Sequence, residues 1–262
     1  MQPTPTPSNG QLEETGYRGL SYGQQYAFTG AGPVDTSEYP GALICVEGTD
    51  RVGRSTHIAL LHEWLENDGY GVVRSALTRS GLAGDGLRRA KEGHTLGPLT
   101  MDLFYATDFA DRVENEIIPA LRAGFVVLTD RYIFASLARS IVRGSDPEWV
   151  EDIYRFAPIP DAVIYLDVEV ENLVPRVIAG GGFDYWESGM DFIEERDIYS
   201  SFMKYQERVL RVFDSLVERF DLVRIDANRD MNHVFSDLQT EVKRVLHQTG
   251  VRPSSAIRKE EG

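Results

Sequence analysis

The chain has 262 residues, 42% of them hydrophobic, enough for one large or two small domains around a substantial core. With 27 Lys and Arg against 41 Asp and Glu, the formal net charge of −14 argues against a generalised nucleic-acid footprint and requires a local basic cluster for any polyanionic ligand. The single cysteine, Cys45, excludes disulfide scaffolds and cysteine zinc sites, while a polar N-terminus and the lack of a spanning-length apolar run lead to the expectation of a cytoplasmic protein with no membrane partner.

Residues 1–40, rich first in Pro, Thr and Ser and then in Gly, Tyr and Gln, read as an extension, flexible or strapped onto the domain. Tyr17, Tyr22 and Tyr26 could pack on the surface or on a partner. A compact domain is expected over 41–248, with a polar tail over 249–262. Residues 42–46 form an apolar run of strand length that leads into GTDRVGRS at 48–55 and then into a helical pattern over 55–67, with Ile58, Leu61 and Leu65 on one stripe. Apart from Arg54 in the lysine slot, this is the phosphate-binding loop G-x-x-x-x-G-K-[ST] in its strand–loop–helix context. Gly48 and Gly53 permit the torsions and close approach that the loop needs. Amides of Arg51, Val52, Gly53, Arg54, Ser55 and Thr56 can then converge on phosphate oxygens at a helix N-terminus. Ser55 is placed for Mg²⁺. Arg54 would reach the terminal phosphates with a planar fork in place of a point charge.

Further strands are expected over 72–77, 125–129, 162–166 and 222–225, and helices over 100–123, 133–143, 147–156, 169–178, 191–219 and 230–246. Pro119 is expected to kink or shorten the first of those helices. Arg79, Arg88, Arg89 and Lys91 make a basic island, of which only Arg79 stands at a strand end. The third strand delivers Asp130-Arg131-Tyr132 to its C-terminal end, where ligands bind in open α/β sheets; Asp130 and Arg131 would alternatively be a helix cap and its partner. Gly180-Gly181-Gly182 begins a mobile excursion through Met190. Val234, Leu238, Val242 and Leu246 form a packing stripe. Apolar strands alternating with helices after a phosphate loop predict an α/β fold of the P-loop NTPase kind, its largely parallel sheet covered on both faces.

With these motifs in place, the chain resembles the thymidylate kinase family from about residue 42 to 246. EGTD-R-VGRST is similar to EGxDxxGKST, and Asp130-Arg131-Tyr132 to the family's D-R-[YH]. The resemblance implies ATP as donor, Mg²⁺, a nucleoside monophosphate as acceptor with dTMP the best single guess, a short lid over about 179–190, and a homodimer as a plausible assembly. Residue by residue, it implies that Arg51 assists phosphate transfer from the loop, the lid having Tyr185 where other branches carry arginine. Arg79 and Arg131 would hold the acceptor phosphate, and Ser136 matches a serine after D-R-[YH]. Ser55 with Asp130, or with Asp50 through water, would place Mg²⁺; Asp50 would otherwise orient the acceptor or bond its own turn. Asn228 and Arg229 fall in the segment beside the adenine pocket.

The departures gather at the acceptor base. Against F-A-A-D-R the chain has Tyr105-Ala106-Thr107-Asp108-Phe109, so Tyr105 is a stacking platform or a core aromatic and Phe109 occupies the base-contacting arginine position. Arg139-Ser140 replaces a tyrosine-glutamine pair, and Ser80 a sugar-reading glutamate. These changes predict weak or shifted discrimination among monophosphates. Two rivals to a dTMP kinase follow: a kinase for another small phosphorylated acceptor, and a non-catalytic nucleotide-binding or regulatory protein.

Overall fold

The computed structural model describes residues 34–78, 80–93 and 96–253. The expected extension up to residue 33, Arg79 and the tail from residue 254 lie outside the described residues. Five strands, β1 (Ala42–Glu47), β2 (Val72–Ala76), β3 (Val126–Asp130), β4 (Ala162–Asp167) and β5 (Val223–Asp226), form one sheet in the order β2-β3-β1-β4-β5. Every pairing is parallel. The helices are α1 (Arg54–Asn67), α2 (Gly84–Glu92), α3 (Pro98–Arg112), α4 (Ile118–Arg122), α5 (Phe134–Val142), α6 (Pro147–Ile153), α7 (Val170–Ala179), α8 (Ile198–Phe220) and α9 (Met231–Thr249).

Alternation along β1 explains the two-sided core. Leu43 and Cys45 face a cluster with Phe109, Phe134, Tyr205 and Phe213 from α3, α5 and α8. Ala42, Ile44 and Val46 face the other way, against Ile58, Leu61 and Leu65 of α1 and Val234, Leu238 and Val242 of α9. The α1 and α9 stripes expected from the sequence are therefore the buried faces of those helices. Cys45 is buried, and burial pushes its thiol well above the ordinary range.

Some boundaries differ from the sequence expectation. The helix expected over 100–123 starts at Pro98 and is interrupted by a π-helical turn at Val113–Ile117, with Pro119 in the first turn of α4. Proline offers no amide to the preceding turn, and a wider turn ahead of it absorbs the mismatch. α8 begins at Ile198 rather than 191, where Asp197 accepts from the Ser200 amide at 2.8 Å and caps it. Helix α2 was not expected, because its sequence GDGLRRAKE reads as a charged, glycine-broken loop; Leu87 anchors it against Leu77, Met101 and Tyr105. No helix among the described residues is long and apolar enough to cross a membrane.

Candidate active site

Strand register brings the site together. β1 and β3 are neighbours with Val46 opposite Asp130, so the loop that leaves β1 and the acidic residue that ends β3 emerge side by side at the C-terminal edge of the sheet. The loop uses its glycines for torsion: Gly48 has φ 144° and Gly53 φ 106°. A Cβ at Gly48 would lie 3.0 Å from the Leu166 carbonyl oxygen. Gly53 precedes α1, whose N-terminus carries neither a side-chain cap nor an acidic residue in its first turn. Its amides are thus left for an anion. Ser55 and Thr56 stand exposed on that first turn.

Arg54 is turned into the loop rather than out of it. Its side chain is 6% exposed; Nε donates to Asp130 Oδ1 at 2.9 Å, and Nη1 donates to the carbonyl oxygens of Gly48, at 2.5 Å, and of Thr49. The Ser55 hydroxyl donates to the other Asp130 oxygen at 2.5 Å. Burial opposes the charge on Asp130, but Arg54, the Ser55 hydroxyl and Arg131 outweigh it and hold this carboxyl below the usual range. A hydroxyl and an ionised carboxylate beside free helix amides form the sparse oxygen donor set that suits Mg²⁺ when phosphates complete its shell. No cluster of three His, Cys, Asp or Glu side chains offers a metal cage among the described residues.

On the far side of the loop, Asp50 is 5% exposed and takes charge-assisted bonds from two arginines. Arg131 Nη2 donates to Oδ1, and Arg139 Nη2 lies 2.7 Å from both oxygens. Burial disfavours the Asp50 charge, yet Arg131, Arg139 and Arg54 drive its pKa far down. Burial and the adjacent arginines lower Arg131 to about 10, whereas Asp50 and the tyrosines around Arg139 outweigh burial and raise Arg139. These residues line a cavity of about 320 Å³ together with Tyr105, Ser136, Asp102 and Ser140. Asp102 accepts from Ser140 Oγ at 2.5 Å and from Ser145 Oγ at 2.8 Å. Tyr105 is a core aromatic, in the small cluster around α2, that also reaches the cavity, its hydroxyl 3.4 Å from Lys91 Nζ.

Phe109 requires a correction. It is fully buried, with Tyr132 edge-on at 4.8 Å and with Tyr154 and Phe156 at 5.7 and 5.6 Å, and it does not line the cavity. One turn of helix separates it from Tyr105, and at that level α3 packs into the core shared with α5. Neighbouring Asp108 accepts from the amides of Thr78 and Ser80 at 2.9 and 3.0 Å, tying both residues to α3. Ser80 Oγ accepts from the amides of Leu82 and Ala83 ahead of α2, and Ser80 lines a second cavity beside that helix.

The excursion after α7 is fastened on several sides. Trp186 Nε1 donates to the Lys91 carbonyl at 3.0 Å, and Arg51 reaches both Glu187 and the Gly180 carbonyl. At the β5 end, Asn228 accepts from the Glu169 amide at 2.9 Å, and Arg229 is paired with Asp226 and Asp237. Arg176 ties this turn to the loop, donating to Val52 O at 2.9 Å and Ala227 O at 2.8 Å.

Sequence reasoning missed Arg176, Glu47, Asp102, Glu187 and Gln206. Glu47 is fully buried, and its Oε1 accepts from the amides of Tyr132 at 2.8 Å and Ala135 at 3.3 Å, orienting the turn in which Arg131 has φ 69°. Burial raises its pKa against the pull of those amides and of Arg54. A charge at the end of an otherwise apolar strand was its signal. For Gln206 the signal was an amide on the buried stripe of α8, beside Phe202, Tyr205 and Val209.

A parallel sheet bearing a phosphate loop, an acidic strand end beside it and an arginine-lined cavity across from it defines a P-loop nucleotide-binding protein. The family described as "Thymidylate kinase" matches residues 46–238. The "Probable thymidylate kinase 2" of Saccharolobus solfataricus is 34% identical over 208 residues, covering 79% of this chain and 95% of that protein. The "Probable thymidylate kinase" of Thermococcus onnurineus is 33% identical over 214 residues, covering 78% and 98%. The "Thymidylate kinase" of Akkermansia muciniphila is 35% identical over 170 residues, covering 63% and 81%. The chain belongs to the thymidylate kinase family. That membership supports phosphotransfer of the nucleoside monophosphate kinase type.

Proposed function

We propose that the protein transfers the terminal phosphoryl group of ATP to a nucleoside monophosphate, with dTMP the first acceptor to test. The observation that carries this reading is the single span from Ser55 and Arg54, both bound to Asp130, across Asp50 to Arg131 and Arg139 at the mouth of the cavity. It supports reading the loop as the donor site and the cavity lined by Asp50, Arg131 and Arg139 as the acceptor site.

In this reading the loop amides and the α1 N-terminus hold the donor phosphates. Ser55 and Asp130 would hold Mg²⁺, which neutralises charge on the donor. Arg51 offsets charge on the transferred group, while Arg131 and Arg79 align the acceptor phosphate. Asp50 keeps Arg131 and Arg139 fixed between the two, and Tyr105 and Ser136 border the acceptor base. Asn228 and Arg229 border the donor base. Such a site works by positioning and electrostatic stabilisation, without a covalent nucleophile.

A different monophosphate acceptor is the second reading, favoured by Asp102 and Ser140 in the cavity, where a carboxylate presents acceptors to the N–H groups of a base. Competitive turnover of dTMP, dUMP, dCMP, UMP and AMP with ATP and Mg²⁺ separates the two. We expect dTMP among the acceptors, with less than about a thousandfold preference because stacking tolerates many bases. Turnover of one other monophosphate with none of dTMP selects the second reading.

A further inference from the structure

We propose that Glu187 is a positioning residue for Arg51, and that Gln206 fixes Glu187 to the phosphate loop so that the loop arginine is aimed by the seated lid. This rests on the reading of Arg51 as the group that offsets charge on the transferred phosphoryl. Glu187 lies in the segment between α7 and α8, far from the loop in sequence. Arg51 Nε nevertheless donates to Glu187 Oε2 at 3.2 Å, and Nη1 donates to the Gly180 carbonyl at 3.1 Å. Both acceptors belong to the lid.

The second link is independent of the first. Gln206 on α8 is fully buried; its Nε2 donates to the Glu187 carbonyl at 2.8 Å, and its Oε1 accepts from Thr49 Oγ1. Thr49 and Arg51, two residues apart in the loop, thus both meet the lid at Glu187, one through the backbone and one through the carboxylate. Ser201 adds a bond to the Ser188 carbonyl at 2.7 Å. Any shift of Glu187 relative to the loop breaks bonds of both kinds.

Arg51 needs this support. Its backbone has φ 64°, a sparsely populated conformation for a residue with a side chain. Its side chain is 34% exposed, so packing does not decide its direction. An isolated ion pair this exposed contributes little to stability. Its consequence is orientation. Paired through Nε and Nη1, the guanidinium keeps Nη2 uncommitted among the described residues, a donor available for a phosphate oxygen.

Gly180 supplies a variant that disturbs Arg51 without removing any acceptor. Its φ of −90° suits alanine, but an added Cβ would lie 2.6 Å from Arg51 Nη1 and 3.1 Å from the Arg176 carbonyl. The long arginine side chain is the group free to move.

The experiment measures kcat and KM for wild type, Glu187→Gln, Gly180→Ala and Arg51→Ala, and for each lid variant combined with Arg51→Ala. The expected result is a kcat loss of about tenfold or more for either lid variant with KM for ATP and acceptor within about threefold, and no more than about twofold further loss once Arg51 is gone. Equal losses with and without Arg51, or an unchanged kcat, would overturn the assignment. Wild type inactive on every monophosphate would instead defeat the proposed function. Amide hydrogen exchange over 180–188 reads the coupling without turnover: Glu187→Gln and Arg51→Ala are expected to lose protection in the same lid amides, and unchanged protection in both overturns it.

Discussion

Arg54 and Asp130 are bound to each other at 2.9 Å across the base of the phosphate loop. The arginine that replaces the motif's lysine is therefore part of the loop's own framework, also holding the carbonyls of Gly48 and Thr49. A lysine ammonium is a single point and does not reproduce this planar three-way contact.

Arg54→Ala is expected to lower turnover at least tenfold, about 1.4 kcal/mol of transition-state stabilisation. It is also expected to lower the melting temperature, because two loop carbonyls and the half-buried Asp130 carboxylate lose a partner at once. Arg54→Lys keeps the charge and is expected to retain activity with a smaller loss of stability. Steady-state kinetics and calorimetry on the three proteins check this; an Arg54→Ala protein with wild-type kinetics would contradict the role.

The Asp50 cluster fixes a pH dependence. Asp50 has a folded-state pKa far below its unfolded value, so its contribution to stability is fully present above the unfolded value of about 3.9 and is lost as pH falls toward the folded value. The melting-temperature difference between wild type and Asp50→Asn is expected to stay constant from about pH 8 to pH 5 and to shrink below about pH 4. A difference that vanishes between pH 5 and 7 would show that Asp50 is not held by Arg131 and Arg139.

Phe109→Arg is expected to unfold the protein rather than to change its acceptor preference. The substitution removes a fully buried ring from an aromatic cluster and places an unpaired charge there, at a cost of about 3 kcal/mol or more. Urea unfolding measures this. A folded, stable Phe109→Arg protein with altered acceptor preference would mean that the side chain reaches the base after all.

Gly53→Val is expected to abolish ATP binding in a protein that remains folded, because φ 106° at the start of α1 is closed to a β-branched residue and the amides there lose their aim. Isothermal calorimetry with Mg-ATP reports it; wild-type affinity in the folded variant would remove the loop from the donor site.

The parts that were legible in the sequence share one property: their function depends on residues adjacent in the chain. The loop 48–55, the Asp130 strand end and the apolar stripes of α1 and α9 each announce themselves through spacing or period. Parallel pairing of β1 with β3 then follows from the fold rule that sets such motifs at one edge. What was not legible depends on pairs far apart in sequence. Arg139 read as the loss of a base contact, yet it grips Asp50, 89 residues away. Nothing in the local sequence sets Arg176 apart, yet it joins two carbonyls from different loops. Phe109 failed for a geometric reason: it shares a face of α3 with Tyr105 but stands one turn further along, where the helix packs into the core and no longer borders the cavity.

The proposed function requires one site on this chain to move a phosphoryl group from ATP to a nucleoside monophosphate. Its most direct measurement is phosphorus NMR of the purified protein with Mg-ATP, with and without dTMP. Loss of ATP is expected only when the acceptor is present, with ADP and dTDP rising in a one-to-one ratio, and no transfer by the Asp130→Asn protein. ATP consumed without any nucleoside diphosphate formed from an acceptor, for dTMP and for every other monophosphate tried, would contradict it.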